Sequence, residues 1–190
     1  GKEAEIAKAL NLITEQAIRA GQIISRVRGY IRKRIPKREA VDMNKAVEEA
    51  VTLFRHDALN RGIQIETHLT PDLPPVMGDL IEFEQMIINL GRNAIDAITA
   101  DSEEGGKLEI FTTAGDDGVL VRISDSGPGL TGNEIDRIWQ PFMTTKESGL
   151  GLGLAICRSI AEAHGGRIWA ESAPDGGLSV VFFIPAAVEE

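Results

Sequence analysis

The chain has 190 residues, 43% apolar and 26% charged, with a formal net charge of −9. That is the composition of a soluble globular protein, and no apolar run approaches the ~18 residues of a membrane-spanning helix. The single cysteine, Cys157, excludes an internal disulfide and a cysteine-rich zinc site, and it suits the reducing cytoplasm. Charge is unevenly spread: residues 1–40 balance to +6 and the remainder to −15. An acidic body argues against nucleic acid as a partner, and the basic run "RVRGYIRKRIPKR" reads as a solvated helix end rather than a membrane contact.

Taken in chain order, the first pattern is a heptad. Ile6, Leu10, Ile13, Ala17, Ala20, Ile24, Val27 and Ile31 alternate in steps of four and three, a narrow apolar seam that a lone helix cannot bury. Pro36 ends it. With Asp42 as N-cap, "VDMNKAVEEAVTLFRHDALNRG" reads as an amphipathic helix closed by Gly62. "IQIETHL" alternates as a strand, "PDLPPVMGD" reads as a loop, and "LIEFEQMIINLGRNAIDAITA" as a long helix. "KLEIFTTA" and "VLVRISD" are strands joined by the hairpin signal Gly115-Asp116-Asp117-Gly118. A glycine turn, a short helix around Asn133–Trp139, a glycine-rich stretch and a helix to His164 follow. "GGRIWAESA" and "GLSVVFFIP" form a closing strand pair. This order predicts an α+β fold, an α/β sandwich with helices layered on one mixed sheet, behind a long heptad helix.

Two familiar phosphate-binding patterns fail. "GPGLTG" fits G-x-G-x-x-G after a strand, but the full helix, parallel strand and distant acid of a dinucleotide fold do not follow. No G-x-x-x-x-G-K-[ST] occurs. What remains is an ordered set: Asn89 and Asn93 four apart on one helix, hence on one side of it; Asp125 before Gly127 and Gly129; Pro141-Phe142 before Thr144-Thr145-Lys146; and the run Gly149, Gly151, Gly153. Alone, each has a bland reading, such as a buried structural amide or a plain turn. Their joint order is specific.

"NLGRNAIDA", "DSGPGL", "PFMTTK" and "GLGLGLAI" resemble the N, first G, F and second G boxes of sensor histidine kinases, members of the gyrase, chaperone, kinase and mismatch-repair ATPase superfamily. "EQAIRAGQIISRVRGYI" resembles the second dimerisation helix of their nitrogen-regulation and oxygen-sensing branch. The resemblance implies a dimerisation and phosphotransfer part over residues 1–38 and a catalytic ATP-binding domain over 39–190. It implies ATP and Mg²⁺ as ligands, and an upstream phosphoacceptor helix and a response regulator receiver domain as partners. The full-length parent would be a homodimer acting in the cytoplasm.

Residue by residue, the resemblance makes Asp125 the acceptor for the adenine amino group. A carboxylate only accepts, and guanine presents an oxygen at that position, so ATP is favoured over GTP. Gly127 and Gly129 would let the backbone approach the base. Ser179 stands where the family often has a threonine near the adenine; a plain strand serine is the alternative. Asn93 matches the magnesium-binding asparagine, an oxygen ligand suited to Mg²⁺. Asn89 stands where hydrolytic relatives carry a glutamate base, which an amide cannot replace. Asp96 occupies a position where the kinases often have Lys or Arg. Arg92 is the nearby candidate for phosphate charge, an exposed helical arginine being the alternative. Thr144, Thr145 and Lys146 would form a lid with Lys146 meeting the γ-phosphate, beside Phe142. The run Gly149, Leu150, Gly151, Leu152, Gly153 would close on phosphate at a helix N-terminus.

No histidine here fits the phosphoacceptor. His56 lies in the first helix of the ATP-binding body, His68 in a strand and His164 at a helix end. The resemblance therefore implies transfer of the γ-phosphate to a histidine upstream of this chain. Two other readings stay open: a hydrolytic relative of the same superfamily, and a non-catalytic nucleotide-binding or dimerisation module.

Overall fold

The computed structural model describes residues 37–102, 105–143, 151–173 and 176–187. The expected heptad helix lies outside the described residues. From Asp42 onward the elements follow the hydrophobic periods of the sequence. Helix α1 (Met43–Asn60) starts where Asp42 Oδ1 accepts the N–H groups of Asn44 and Lys45. It buries Met43, Ala46, Val47, Ala50, Val51, Phe54 and Ala58, a three-and-four spacing that makes one face apolar. Helix α2 (Leu80–Asp101) begins in the same way, with Asp79 Oδ1 accepting from Ile81 N–H at 3.0 Å. Helix α3 (Gly132–Arg137) is short, and helix α4 (Gly153–Ala163) ends the helical set. No helix among the described residues is long and apolar enough to cross a membrane.

Among the described residues, seven strands form two sheets: β1 (Glu39–Val41), β2 (Ile63–Leu69), β3 (Val76–Gly78), β4 (Gly106–Gly115), β5 (Gly118–Asp125), β6 (Arg167–Ser172) and β7 (Leu178–Pro185). The main sheet has the order β2-β4-β5-β7-β6. Only β2 and β4 run parallel, their crossover carrying α2; the other neighbours are antiparallel. The expected mixed sheet is there, with the β4–β5 hairpin closing at Gly115 opposite Gly118. One expectation fails. "PDLPPVMGD" is not all loop, because Val76–Gly78 pairs antiparallel with Glu39–Val41 as a separate two-stranded sheet. Three-residue strands carry too few side chains to display a period of two, and the prolines beside β3 mask it further.

The core lies between the helices and one face of the main sheet. Phe54, Phe83, Met86, Ile87, Ile95, Leu108, Ile110 and Phe182 are all fully buried there. Gly91 sets how closely α1 and α2 approach, since a Cβ on it would stand 2.6 Å from the Phe54 ring.

A second anchor is polar. The His164 Nδ1–H donates to the Ile160 carbonyl at 2.8 Å, and Nε2 accepts the Asp79 N–H at 3.4 Å. The C-terminus of α4 is thereby held against the N-terminus of α2, as a structural reading of His164 requires. The incoming chain joins the same node: Lys37 N–H donates to Asp79 Oδ2 at 3.1 Å, and Arg38 Nη2 to the Ala163 carbonyl at 2.7 Å.

Gly91→Ala gains about 1 kcal/mol of helix propensity yet overpacks a ring that has nowhere to move. It is expected to destabilise the fold by ~1–3 kcal/mol. In the double variant with Phe54→Leu the two effects should be less than additive, measured by urea unfolding. Strict additivity would show that the ring does not set the helix spacing.

Candidate nucleotide site

Helix α2 is the wall on which the motif residues meet. Asp125, at the end of β5, is only 8% exposed. Its Oδ1 accepts the N–H of Gly127 at 2.9 Å and of Leu178 at 3.3 Å, and neither bond falls on Oδ2. Burial pushes the carboxyl above the usual aspartate range, and these two N–H groups oppose the shift. The turn after it presses on α2: a Cβ at Gly127 would come within 3.2 Å of the Ala97 backbone. Behind Asp125, Gly177 has φ +83°, and a side chain there would run into the Asp125 carbonyl oxygen. Two chain segments thus cross Asp125 so closely that only glycine fits.

One turn along α2, Asn93 faces the start of α4, its Nδ2 lying 3.7 Å from where a Cβ on Gly153 would be. Asn89, a further turn back, keeps a buried Nδ2 with no hydrogen-bond partner among the described residues. Its neighbour is the fully buried thiol of Cys157, which burial pushes up to about 12 against the opposing Asn89 amide. A neutral thiol is only a weak acceptor, so Nδ2 remains an orphan donor in this wall. Helix α4 begins at Leu152 without a side-chain cap, whereas carboxylates cap α1 and α2. Among the described residues no side chain caps its first N–H groups, the groups that would receive an anion.

Phe142 has φ +68° and is 73% exposed. Its N–H donates to the Gly151 carbonyl at 3.0 Å, and Gly151 itself has φ +64° with the Met143 carbonyl 2.5 Å from a would-be Cβ. The F-like motif and the end of the glycine run are thus tied together on either side of residues 144–150. Thr144, Thr145, Lys146, Gly149 and Leu150 lie outside the described residues.

Three residues stand differently from the others. Arg92 is exposed on α2. Asp96 lies on the same side of α2 as Asn89 and Asn93, and Arg61 Nη1 pairs with it at 3.5 Å while Arg61 Nε holds Asp57 Oδ1 at 3.0 Å. Sequence reasoning missed Arg61, because no local spacing links the end of α1 to α2. Ser179 is fully buried, and its hydroxyl shares a 2.7 Å hydrogen bond with Ser124. Strand alternation sends Ser124 to the opposite face from its neighbour Asp125, so Ser179 takes no direct part in the Asp125 cluster. His56 is exposed on α1 and His68 on the sheet face away from the helices. A hollow of about 570 Å³ also lies on that open face, lined by Phe111, Leu120, Trp169 and Val181. It reaches the Asp125 loop but not the asparagines of α2.

Residues 78–188 match the family described as histidine kinase-, DNA gyrase B-, and HSP90-like ATPase. The chain is 40% identical over 97% of its length to the sensor protein FixL of Bradyrhizobium diazoefficiens, covering 36% of that protein. It is 34% identical over 96% of its length to the sensor histidine kinase TmoS of Ectopseudomonas mendocina, covering 19% of it. The chain therefore spans about a third or less of the length of these relatives. Among solved structures, the catalytic domain of histidine kinase ThkA aligns with a TM-score of 0.71 at 33% identity, covering 79% of this chain and 96% of that one. Histidine kinase ThkA solved in complex with response regulator protein TrrA aligns with a TM-score of 0.76 at 30% identity, covering 95% of this chain and 51% of that one. In fold, in the convergence of its motifs and in these likenesses, the chain belongs to the histidine kinase-, DNA gyrase B- and HSP90-like ATPase family, and it contains the catalytic ATP-binding domain of a sensor histidine kinase.

Proposed function

We propose that the cleft between α2 and the start of α4 binds ATP with Mg²⁺ and presents the γ-phosphate to a histidine on a helix upstream of this chain, for relay to a response regulator. The observation that carries this reading is the convergence on one helix wall of a buried acceptor at Asp125, the Asn93 amide beside Gly153, and the orphan amide of Asn89. In this reading residues 1–38 are the C-terminal part of a dimerisation and phosphotransfer bundle, and residues 39–190 the catalytic domain. The parent acts as a homodimer in the cytoplasm.

Each residue's part follows from its chemistry. Asp125 offers Oδ2 to the adenine amino group, with Oδ1 already fixed by backbone donors. Facing the guanine oxygen, it would leave two acceptors unpaired, which costs roughly 1–3 kcal/mol. The uncapped first turn of α4 receives phosphate oxygens. Asn93 would hold Mg²⁺ through its amide oxygen; the ion, when bound, neutralises phosphate charge. Lys146 supplies a further positive charge from the lid. Asn89 lines the cleft but, as an amide, cannot activate water. That disfavours the hydrolytic reading and leaves the γ-phosphate for an external nucleophile. Arg92, exposed on α2, offers phosphate charge, and Arg61 stands beside Asp96, one turn from Asn93.

Asp125→Asn separates binding from stability. The folded-state pKa of Asp125 is raised, so its ionised form opposes folding at neutral pH, and this penalty is relieved as pH falls through the folded value. The amide removes the penalty, so thermal stability at pH 7 is expected to hold or rise. Affinity for an ATP analogue should fall by at least ~tenfold. Unchanged affinity in calorimetry would reject Asp125 as the adenine acceptor.

Asn93→Ala is expected to abolish the strengthening of nucleotide binding by Mg²⁺ while leaving the affinity measured in EDTA nearly intact. Equal losses with and without the ion would mean that Asn93 shapes the cleft rather than holding the metal.

Mixed with ATP and the acceptor-bearing upstream helix pair of the parent, the chain should label the acceptor histidine and release little free phosphate. Free phosphate without labelled histidine would instead favour the hydrolytic reading.

A further inference from the structure

The face of the main sheet turned away from the helices carries a cluster of charged side chains around an imidazole. Strands β2 and β4 run parallel with Glu66 directly opposite Glu109 and His68 opposite Phe111. The His68 imidazole stacks on the Phe111 ring, centroids 4.5 Å apart and planes 12° from parallel. Stacked in this way, its Nε2 lies 3.6 Å from Glu66 Oε2 and 3.6 Å from Glu109 Oε1. All three ligand atoms fall within 4.8 Å of one another. Around a tetrahedral zinc ion with bonds of ~2.0–2.2 Å, ligand atoms stand about 3.3–3.6 Å apart. The imidazole-to-carboxylate spacings already match that figure.

The cluster also behaves as a cation site. Register forces two carboxylates side by side, an unfavourable pairing unless positive charge lies between them. Lys107 Nζ supplies it, contacting the same two oxygens, Glu66 Oε2 at 3.0 Å and Glu109 Oε1 at 2.9 Å. The ammonium is held on a flexible stem at a half-open surface, where such a pair is weak and readily exchanged. One imidazole nitrogen and two carboxylate oxygens form a mixed set suited to a borderline transition-metal ion, whereas Mg²⁺ and Ca²⁺ prefer oxygen alone.

We propose that Glu66, His68 and Glu109 form a surface zinc site on the open face of the sheet, with Lys107 as its built-in competitor. Because β2 is an edge strand, the ion clips the edge to its neighbour and stabilises the fold by binding only the folded state. The site lies across the sheet from Asn93 and is separate from the nucleotide's magnesium.

The test is a titration of the tag-free chain with Zn²⁺ against a chromophoric chelator, in the presence of excess Mg²⁺. One equivalent should bind and raise the unfolding temperature. His68→Phe, which keeps the ring stack, and Glu109→Gln should each weaken binding by at least ~tenfold, and Lys107→Gln should strengthen it by a similar factor. Unfolding curves without metal establish that each variant is folded. The proposal is overturned if neither the wild type nor Lys107→Gln binds zinc, if Mg²⁺ abolishes the binding, or if His68→Phe and Glu109→Gln bind as the wild type does.

Discussion

The seat of the Phe54 ring on Gly91 is the contact on which the rest of the site depends. Helix α2 has to bury one side in the core while its other side presents polar groups to the cleft. Removing a side chain at Gly91 lets the helix settle against α1, and its rotation is then fixed. Asn89, Asn93 and Asp96 consequently share the opposite side, facing the start of α4 and the end of α1. A helix free to roll by one residue would turn these groups by 100° and drive one of them into the core. Apolar packing thus determines the direction in which the amides point.

Asp125 shows the reverse dependence, with polar geometry dictating backbone. A carboxylate buried to this degree is tolerated because backbone N–H groups from two segments reach Oδ1. Bringing two segments so close leaves no room for a Cβ at Gly127 or Gly177. The glycine-rich turns around Asp125 are therefore a steric condition for holding a lone acceptor in an apolar wall. Such a group is well suited to distinguish one ring substituent from another, because a carboxylate only accepts and cannot pair with a second acceptor.

Much of this was legible in the sequence. Long amphipathic helices and alternating strands show enough turns or pleats for their periods to emerge, as in Leu80–Asp101 and the β4–β5 hairpin. The order of the motifs gave the family, and the asparagine spacing gave their shared side. The three-residue strands β1 and β3 were not legible, since each offers a single alternation. Neither was the pairing of Arg61 with Asp96, which depends on where one helix ends relative to the middle of another. Ser179 illustrates a different gap. Motif position put it beside the adenine, but the strand register pairs it with Ser124 on the other side of the sheet. Register is a long-range property, and a list of local patterns does not contain it.

The anchoring of Lys37 and Arg38 has a mechanical consequence. The chain does not hang from the sheet at this point; it is fastened by one bond to the cap of α2 and by another to the last carbonyls of α4. His164 bridges those two helix ends. A tug or twist delivered along the backbone at residue 37 therefore bears on both helix termini together. Helices α2 and α4 are thus joined at their ends by the same residues that fasten Lys37 and Arg38.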